Sequence, residues 1–269
     1  MVIVDSSEPR GAPEEGRPPE FVRSLDRGLA VIRAFSADAP SLTLSDVARA
    51  TGLTRAAARR FLLTLEALGY VGSDGRRFHL RPKVLELGYA YLASLTFEEV
   101  ALEHMRELVE EVHESSSASV LDGTEIVYVA RVPAKRIMSI GLNVGTRLPA
   151  FCTSMGRVLL AALPEAALDD YFRAAELEAR TSRTVTDENR LRRILAEVRH
   201  QGWAMVDQEL EDGVRSVAVP IRGPAHTVLA AMNISAHAAR VRLDDLRKRY
   251  LPLLQAAACR IEADLSTRR

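Results

Sequence analysis

The first third of the chain carries apolar residues at the spacing of amphipathic helices. In "RSLDRGLAVIRAFS" one helical stripe ends before Pro40 and contains Leu25, Leu29, Ile32 and Phe35. An apolar residue at every third or fourth position keeps one side of a helix apolar. The pattern therefore predicts a first helix with one apolar side.

A second and a third helix follow, separated by a glycine. Thr43 opens "TLSDVARATG" and Asp46 stands three residues later, a capping-box pattern. Gly52 stands where a helix ends in a left-handed residue, and Thr54 can cap the next helix. The apolar residues spaced for the core in that helix are Phe61, Leu65 and Leu68. Helix, glycine-containing turn and helix at this spacing is the helix-turn-helix arrangement.

The start of the third predicted helix is basic. Arg55 with Arg59, and Ala56 with Arg60, are pairs four residues apart on the side opposite the apolar residues. The first residues of a recognition helix meet base edges, where arginine binds guanine or phosphate. The alternative is a solvated basic face on a purely structural helix. The predicted DNA contacts in this region are Thr43, Thr54, Arg55, Ala56, Arg59 and Arg60.

Directly after this helix, "GYVGSDGRRFHLRP" alternates two short β-prone segments with a turn. Asp74-Gly75 is a hairpin signal. A hairpin at this place acts as a wing, and Arg76 and Arg77 at its tip are predicted to lie along the phosphate backbone. His79 is predicted to lie on a strand of the wing and to bind no metal, since no second His or Cys stands at ligand spacing.

The rest of the chain divides into a helical and a mixed part. Residues 84–96 continue a 3.6-residue pattern and predict a linker helix, and Thr96 with Glu99 forms a second capping box. From Ser117 onward, β-rich segments such as "EIVYVARV" alternate with helical ones such as "DENRLRRILAEVRHQG", and Asp122-Gly123 marks a hairpin. Hairpins mixed with helices predict an α+β domain with a largely antiparallel sheet.

Charge and composition narrow the class of protein. The chain of 269 residues has no net charge, but residues 20–83 hold eleven Lys and Arg against six Asp and Glu. A basic front on a slightly acidic body is typical of a nucleic-acid-binding module attached to another domain. No run approaches the length of a membrane span. Residues 1–19 lack a signal-peptide pattern and, rich in Pro, Gly and Glu, predict a disordered leader.

Catalytic chemistry has little support in the sequence. The only two cysteines, Cys152 and Cys259, exclude a disulfide framework and favour a reducing cytoplasm. No local signature links Cys152 to a histidine base, so a small buried residue is the interpretation we adopt. The glycines form neither a phosphate-binding loop nor a dinucleotide fingerprint. We expect no enzyme activity, no cofactor and no metal.

Ligand binding is better supported. "LPAFCTSMGRVLLAAL" leads from a turn marked by proline into a helix whose first residues are small and polar. The free backbone N–H groups of a helix start form a carboxylate site. We therefore expect this helix start to hold an acidic ligand.

Three segments together carry a resemblance to a known family. They are "SLDRGLAVIRAFS", "LTLSDVARATGLTRAAARRFLLTLEALGYV" and "FHLRPKVLELGYAYLAS". From about Phe21 to the C-terminus the chain resembles the IclR family of bacterial transcriptional regulators, and within it the PcaR/PobR/PcaU branch that controls aromatic-acid catabolism. The resemblance implies a winged helix-turn-helix domain, a linker helix and a GAF-like effector-binding domain. It also implies homodimers formed through the N-terminal domains, or homotetramers.

The same resemblance implies an effector site. Carried over position by position, its residues are Ser154, Met155, Asp207, Ser216, Asn233 and Ser235. A cysteine often found in the family aligns with Ser216, so the polarity of the pocket differs here from other branches. The effectors implied are protocatechuate, 4-hydroxybenzoate or β-ketoadipate.

We therefore expect a cytoplasmic, homo-oligomeric transcriptional regulator that binds an inverted-repeat operator in double-stranded DNA and senses a small organic acid. The expected domains are a leader at 1–19, a winged helix-turn-helix domain at 20–83, a linker helix at 84–96 and an effector domain at 97–269. One alternative is a small-molecule sensor or enzyme with a vestigial DNA-binding module. Another is an architectural DNA-binding protein without a ligand.

Overall fold

A computed structural model describes residues 18, 20–94, 97–134, 142–223 and 227–267. Nearly all of the predicted leader lies outside the described residues, as does Thr96 of the second predicted capping box. The chain forms two compact units, Met1–Ala90 and Tyr91–Arg269. The division between the units falls inside the segment predicted as the linker helix.

The first unit contains short helices and a small sheet. Its elements in chain order are α1 (Arg23–Arg33), β1 (Ser41–Thr43), α2 (Leu44–Thr51), α3 (Arg55–Ala67), β2 (Val71–Ser73), β3 (Arg77–Leu80) and a 3-10 turn (Pro82–Leu85). Helix α4 (Glu86–Ser94) spans the division between the units. The wing is a three-stranded antiparallel sheet in the order β1-β3-β2, because β1 joins the predicted hairpin.

Local sequence signals act as predicted in the helix-turn-helix. Thr43 and Asp46 form the capping box of α2, and Gly52 ends α2 in the left-handed conformation with φ 66°. The Thr54 side chain accepts a hydrogen bond from Ala57 N at the start of α3. These caps satisfy backbone groups at the ends of both helices, which sets the turn between them.

The core of the first unit differs from the predicted one at its edges. It is built from Val31, Phe35, Val47, Ala48, Ala58, Leu62, Leu65 and Val71. Leu25 and Leu29 of the predicted stripe are exposed by 63% and 43%. The prediction that Leu68 lies in the core is wrong, since Leu68 is 53% exposed. It forms the C-cap of α3, where the chain leaves the helix, so the helical spacing no longer sets its direction.

The second unit is a three-layer α+β domain. Its sheet is antiparallel throughout, in the order β6-β5-β4-β9-β8-β7, which confirms the predicted fold class. The strands are β4 (Ser115–Asp122), β5 (Glu125–Val132), β6 (Arg147–Pro149), β7 (Ala204–Asp207), β8 (Val214–Arg222) and β9 (Val228–His237). The helices are α5 (Phe97–Val112), α6 (Ser154–Ala161), α7 (Glu165–Ala174), α8 (Glu188–Gln201), α9 (Leu243–Asp245) and α10 (Leu251–Thr267).

Alternating residues of the strands divide between two cores. Val217 and Val219 join the core that contains α5 and α10, whereas Ala218 joins the core that contains α6, α7 and α8. Successive strand residues point to opposite faces, so both faces of the sheet are covered. The face under α6 carries the polar residues described below.

The C-terminal helical segment accommodates Pro252 by a change of helix type. A π-helical turn, Leu246–Tyr250, precedes α10, and Leu251 N donates to Leu246 O. Proline lacks an N–H and its ring collides with a carbonyl of the preceding turn of an α-helix. The wider turn supplies the space, so the predicted helical pattern continues past the proline.

Candidate functional site

The exposed side of α3 is basic and carries no internal ion pairs. Arg55, Ala56, Arg59 and Arg60 are exposed, whereas Ala58, Leu62 and Leu65 are buried. None of the three guanidinium groups contacts an acidic side chain of the described part of the chain. The helix is thus fixed by its apolar side and presents free cations on the other.

The two threonines predicted to contact DNA are engaged differently. Thr43 Oγ1 donates to Asp46 Oδ2 at 2.7 Å and accepts from Asp46 N at 3.3 Å. The hydrogen bonds from Thr43, led by that of its side chain, lower the pKa of Asp46. Thr54 Oγ1 only accepts, from Ala57 N, so its hydroxyl hydrogen is available to a phosphate. Thr43 therefore positions α2, and its contact with DNA stays a prediction.

The tip of the wing is held by Asp74. Asp74 Oδ1 accepts from Arg76 N at 2.9 Å and Arg77 N at 2.7 Å, and these bonds, Arg77 N first, lower the pKa of Asp74. Gly75 in this turn has φ 91°, which favours glycine. Arg77 Nη1 donates to Ser41 O at 3.1 Å, while the Arg76 side chain has no partner in the described wing. Arg76 is the freer of the two cations.

A cavity of about 400 Å³ opens on the sheet face under α6. Five of the six predicted effector residues line it: Ser154, Met155, Ser216, Asn233 and Ser235. Its other lining residues are Tyr128, Leu142, Leu148, Cys152, Thr153, Arg180, Val206, Leu210, Glu211 and Val214. The volume lies in the range of small-ligand pockets, and an apolar wall with a few polar groups is their usual composition.

Strand register brings the polar residues of the cavity together. Ser216 of β8 pairs with Ser235 of β9, and Asn233 pairs with Ser117 of β4. Asn233 Oδ1 accepts from Ser117 N at 3.1 Å, which leaves the side-chain NH2 group as the donor that Asn233 can offer a ligand. Ser154 Oγ donates to Ser216 Oγ at 2.8 Å, which leaves the Ser216 hydroxyl hydrogen for a further acceptor. One side of the cavity therefore carries several hydrogen-bond donors.

The start of α6 forms another wall. Thr153 is its N-cap and accepts from Gly156 N at 3.1 Å, so Ser154 is the first helical residue. The N–H groups of Ser154 and Met155 have no acceptor among the residues described. A Cβ on Gly156 would lie 2.1 Å from Ala150 O, so only glycine allows the helix to approach the preceding turn this closely. The predicted helix start thus lies at the cavity with two free donors.

A buried ion pair fixes this helix to the loop after β7. Arg157 Nη1 and Nη2 donate to Glu209 Oε1 and Oε2 at 2.7 and 2.6 Å, and Arg157 Nε donates to Phe151 O at 2.9 Å. Glu209 Oε2 also accepts from Val185 N at 3.0 Å. Every strong donor of this arginine is used inside the protein, so Arg157 stabilises the wall and is not available to a ligand.

Asp207 is the one predicted effector residue that does not line the cavity. Its carboxylate accepts from Arg215 Nε and from Arg183 Nη1, the latter at 3.2 Å. The preceding residue, Val206, lines the cavity, because neighbouring residues of β7 point to opposite faces of the sheet. The geometry therefore gives Asp207 a structural ion pair, and its role in effector binding stays a prediction.

Three lining residues escaped the sequence interpretation as ligand contacts: Tyr128, Cys152 and Arg180. Burial raises the pKa of Tyr128 to about 12 and, together with Glu209, that of Cys152 to about 11, although Arg157 and Arg180 act in the opposite direction. A thiol with this pKa is protonated at neutral pH and is a poor nucleophile. Tyr128 carried the alternation signal of β5, but nothing in the sequence marked Arg180, which lies in the loop between α7 and α8.

Within the described ranges, no group of three or more His, Cys, Asp or Glu side chains is placed to hold a metal ion. The same ranges contain no helix with the length and apolar character of a membrane span.

Comparison with known proteins decides the family. Residues 24–75 match the IclR helix-turn-helix domain, and residues 89–263 match the domain described as bacterial transcriptional regulator IclR C-terminal. The chain belongs to the IclR family. It is a transcriptional regulator and not an enzyme, so the alternative of an enzyme with a vestigial DNA-binding module is wrong.

Several relatives of this IclR-family regulator cover most of its length. It is 48% identical to the Pca regulon regulatory protein of Pseudomonas putida over 89% of this chain and 83% of the relative. The crystal structure of RHA06195 from Rhodococcus sp. RHA1 superposes with a TM-score of 0.83 and 55% identity, over 93% and 100% of the chains. An IclR homologue from Microbacterium hydrocarbonoxydans, complexed with 4-hydroxybenzoate, gives a TM-score of 0.79 at 28% identity, over 91% and 99%.

Proposed function

We propose that this regulator binds a small aromatic or dicarboxylic acid in the cavity under α6 and thereby controls genes of aromatic catabolism. The observation that carries the proposal is the cavity itself, which joins an apolar wall to the donors of Ser154, Ser216 and Asn233. The relative in Pseudomonas putida is a Pca regulon regulator, and the homologue in Microbacterium hydrocarbonoxydans holds 4-hydroxybenzoate, which supports this class of effector.

The start of α6 suits the carboxylate of such an effector. An acid that leaves water must regain its hydrogen bonds, or its desolvation costs more than binding returns. The N–H groups of Ser154 and Met155 face the cavity wall at the positive end of the helix dipole. The hydroxyl of Ser216 and the NH2 group of Asn233 then suit a polar substituent elsewhere on the ligand.

DNA binding is proposed to rest on the exposed side of α3 and on the wing. Arg55, Arg59 and Arg60 are unpaired cations on a helix held rigidly by its apolar side. In a helix-turn-helix protein, this helix lies in the major groove and the wing meets the phosphates. The predicted contacts Thr54, Ala56, Arg76 and Arg77 belong to the same proposal.

We also propose a cytoplasmic homodimer or homotetramer that binds an inverted repeat. The first unit exposes large apolar side chains on α1 and near α4: Leu25, Leu29, Leu85, Leu87 and Tyr89. Exposed apolar side chains on short helices favour burial against another chain. A two-fold dimer matches two half-sites of opposite orientation.

A mobility-shift assay on the upstream region of its own gene tests the proposal. The titration is repeated with 4-hydroxybenzoate, protocatechuate and β-ketoadipate, and calorimetry measures binding of each acid to the full chain. A specific shift that one acid alters supports the regulator. A shift that no acid alters, with no heat of binding, would favour the architectural protein, and heat without any shift would favour a sensor with a vestigial DNA-binding module.

A further inference from the structure

Arg180 is the arginine that lines the cavity, and the described residues give it no acidic partner. The arginines that the sequence placed near the site are used elsewhere. Arg157 binds Glu209, and Arg215 binds Asp207 and the carbonyl oxygens of Ala238 and Val241. Arg180 is exposed and borders both the cavity and a second hollow beside α7.

The backbone that carries Arg180 is held in place from the opposite wall. Arg180 N and Thr181 N donate to Thr184 Oγ1 at 3.0 and 2.9 Å, and Thr184 Oγ1 donates to Glu209 O at 2.6 Å. Thr181 Oγ1 donates to Gln208 O at 2.7 Å. The loop between α7 and α8 is therefore fixed to the segment that receives Arg157, and the guanidinium group extends from a rigid base.

The position of this charge relative to α6 follows from its effect on Cys152. Arg180 acts to lower the pKa of the Cys152 thiol, so the guanidinium group lies close enough to interact with that side chain. Cys152 also lines the cavity and stands two residues before Ser154. The free N–H groups of α6 and the free guanidinium group thus border the same part of the cavity.

We infer that Arg180 pairs with the carboxylate of the effector and selects acids over neutral aromatic compounds of the same shape. The inference rests on the proposed function of the cavity. A carboxylate bound only by N–H groups lacks a full countercharge, and a charged donor forms a stronger hydrogen bond. Glu211, which also lines the cavity, repels an acid from its own side and directs the carboxylate toward Arg180.

Calorimetry with matched ligands and matched variants tests the inference. 4-Hydroxybenzoate and protocatechuate are each compared with their neutral carboxamides on the full wild-type chain, Arg180→Gln and Arg183→Gln. We expect Arg180→Gln to lose about 10- to 100-fold affinity for the acid and to bind the amide as wild type does. Arg183→Gln removes the same charge three residues away, from a side chain paired with Asp207, and should keep the preference for the acid.

The outcomes separate this inference from the proposed function. Wild-type binding of an acid that Arg180→Gln leaves unchanged, or an equal loss for acid and amide, overturns the role of Arg180 alone. Absence of binding by either acid to wild type removes the proposal of an aromatic-acid site, and this inference with it. Thermal unfolding of each variant shows that the fold is retained, which we expect because Arg180 is exposed.

Discussion

Arginines in the two units of the molecule serve different purposes, although the residue type is the same. On α3 of the first unit, Arg55, Arg59 and Arg60 are exposed and lack acidic partners among the described residues. In the second unit, Arg147, Arg157 and Arg215 each bind an acidic side chain of the same unit. A positive surface free of internal partners retains its charge for phosphates, whereas paired arginines stabilise loops and walls.

Arg180 is an exception within the second unit, and its place clarifies the comparison. It resembles the arginines of α3 in being exposed and unpaired, but it lies at a cavity. A cation without an internal partner therefore marks a place where this protein can meet an external anion, be it a phosphate or a carboxylate. The predictions below change paired and unpaired side chains in turn.

The largest expected effect comes from breaking the buried pair. Arg157→Met leaves the Glu209 carboxylate buried without its partner, so we expect the free energy of unfolding of the second unit to fall by about 3–5 kcal/mol. Urea unfolding measures it. Arg147→Met is the matched control, because its partners Asp122 and Glu125 are exposed and such pairs contribute about 1 kcal/mol or less. Equal losses in both variants would contradict the contrast between the buried pair and the exposed one.

A charge placed at the start of α6 should remove the response to the effector. Ser154→Asp puts a carboxylate beside the N–H groups proposed to hold the acid, and like charges repel. We expect affinity for the acid to fall by at least about 100-fold, while operator binding stays intact because α3 is unchanged. Ser154→Ala keeps the N–H groups and serves as control. Calorimetry that finds wild-type affinity in Ser154→Asp would place the carboxylate elsewhere, with Asn233 and Ser235 the next candidates.

Removing an unpaired arginine from α3 should affect DNA affinity and not folding. For Arg59→Ala we expect operator binding to weaken by about 1–3 kcal/mol, with specificity relaxed at one base pair. The free energy of unfolding should stay within about 0.5 kcal/mol of wild type, since the side chain is exposed. Titrations on the operator and on single-base variants measure both quantities. Unchanged operator affinity would remove the base-reading role.

The wing should contribute affinity without sequence preference. Changing Arg76 and Arg77 together to alanine should weaken binding to every sequence alike and flatten the salt dependence by about one contact for each lost phosphate. Affinities measured over a series of salt concentrations give the slope. We expect Arg76→Ala alone to account for most of the change, because Arg77 is bonded to Ser41 O. A loss confined to one operator sequence would argue against a phosphate contact.

The smallest effect is expected at Asp207. If its carboxylate only ties Arg183 and Arg215 to β7, Asp207→Asn lowers the free energy of unfolding by about 1 kcal/mol and leaves the affinity for the acid unchanged. Calorimetry on this variant decides between the ion pair and the effector role predicted from the sequence. A large loss of acid affinity with normal stability would restore the effector role.

Local chemistry in the sequence was sufficient for the helix-turn-helix and for the antiparallel sheet. The capping box of Thr43 with Asp46, the left-handed Gly52 and the hairpin at Gly123 act over a few residues, so a reader of the sequence can find them. The basic side of α3 was likewise visible, because residues four apart on a helix share a side. These features determined the class of the protein.

The cavity was decided by tertiary structure. Ser216 meets Ser154 across 62 positions of sequence, and Arg157 meets Glu209 across 52, because the register of β8 and the approach of Gly156 to Ala150 bring these segments together. Arg180 lies in a loop without periodicity, so no local pattern marks it. Asp207 and Val206 differ by one position, and only the pairing of β7 decides which one faces the cavity.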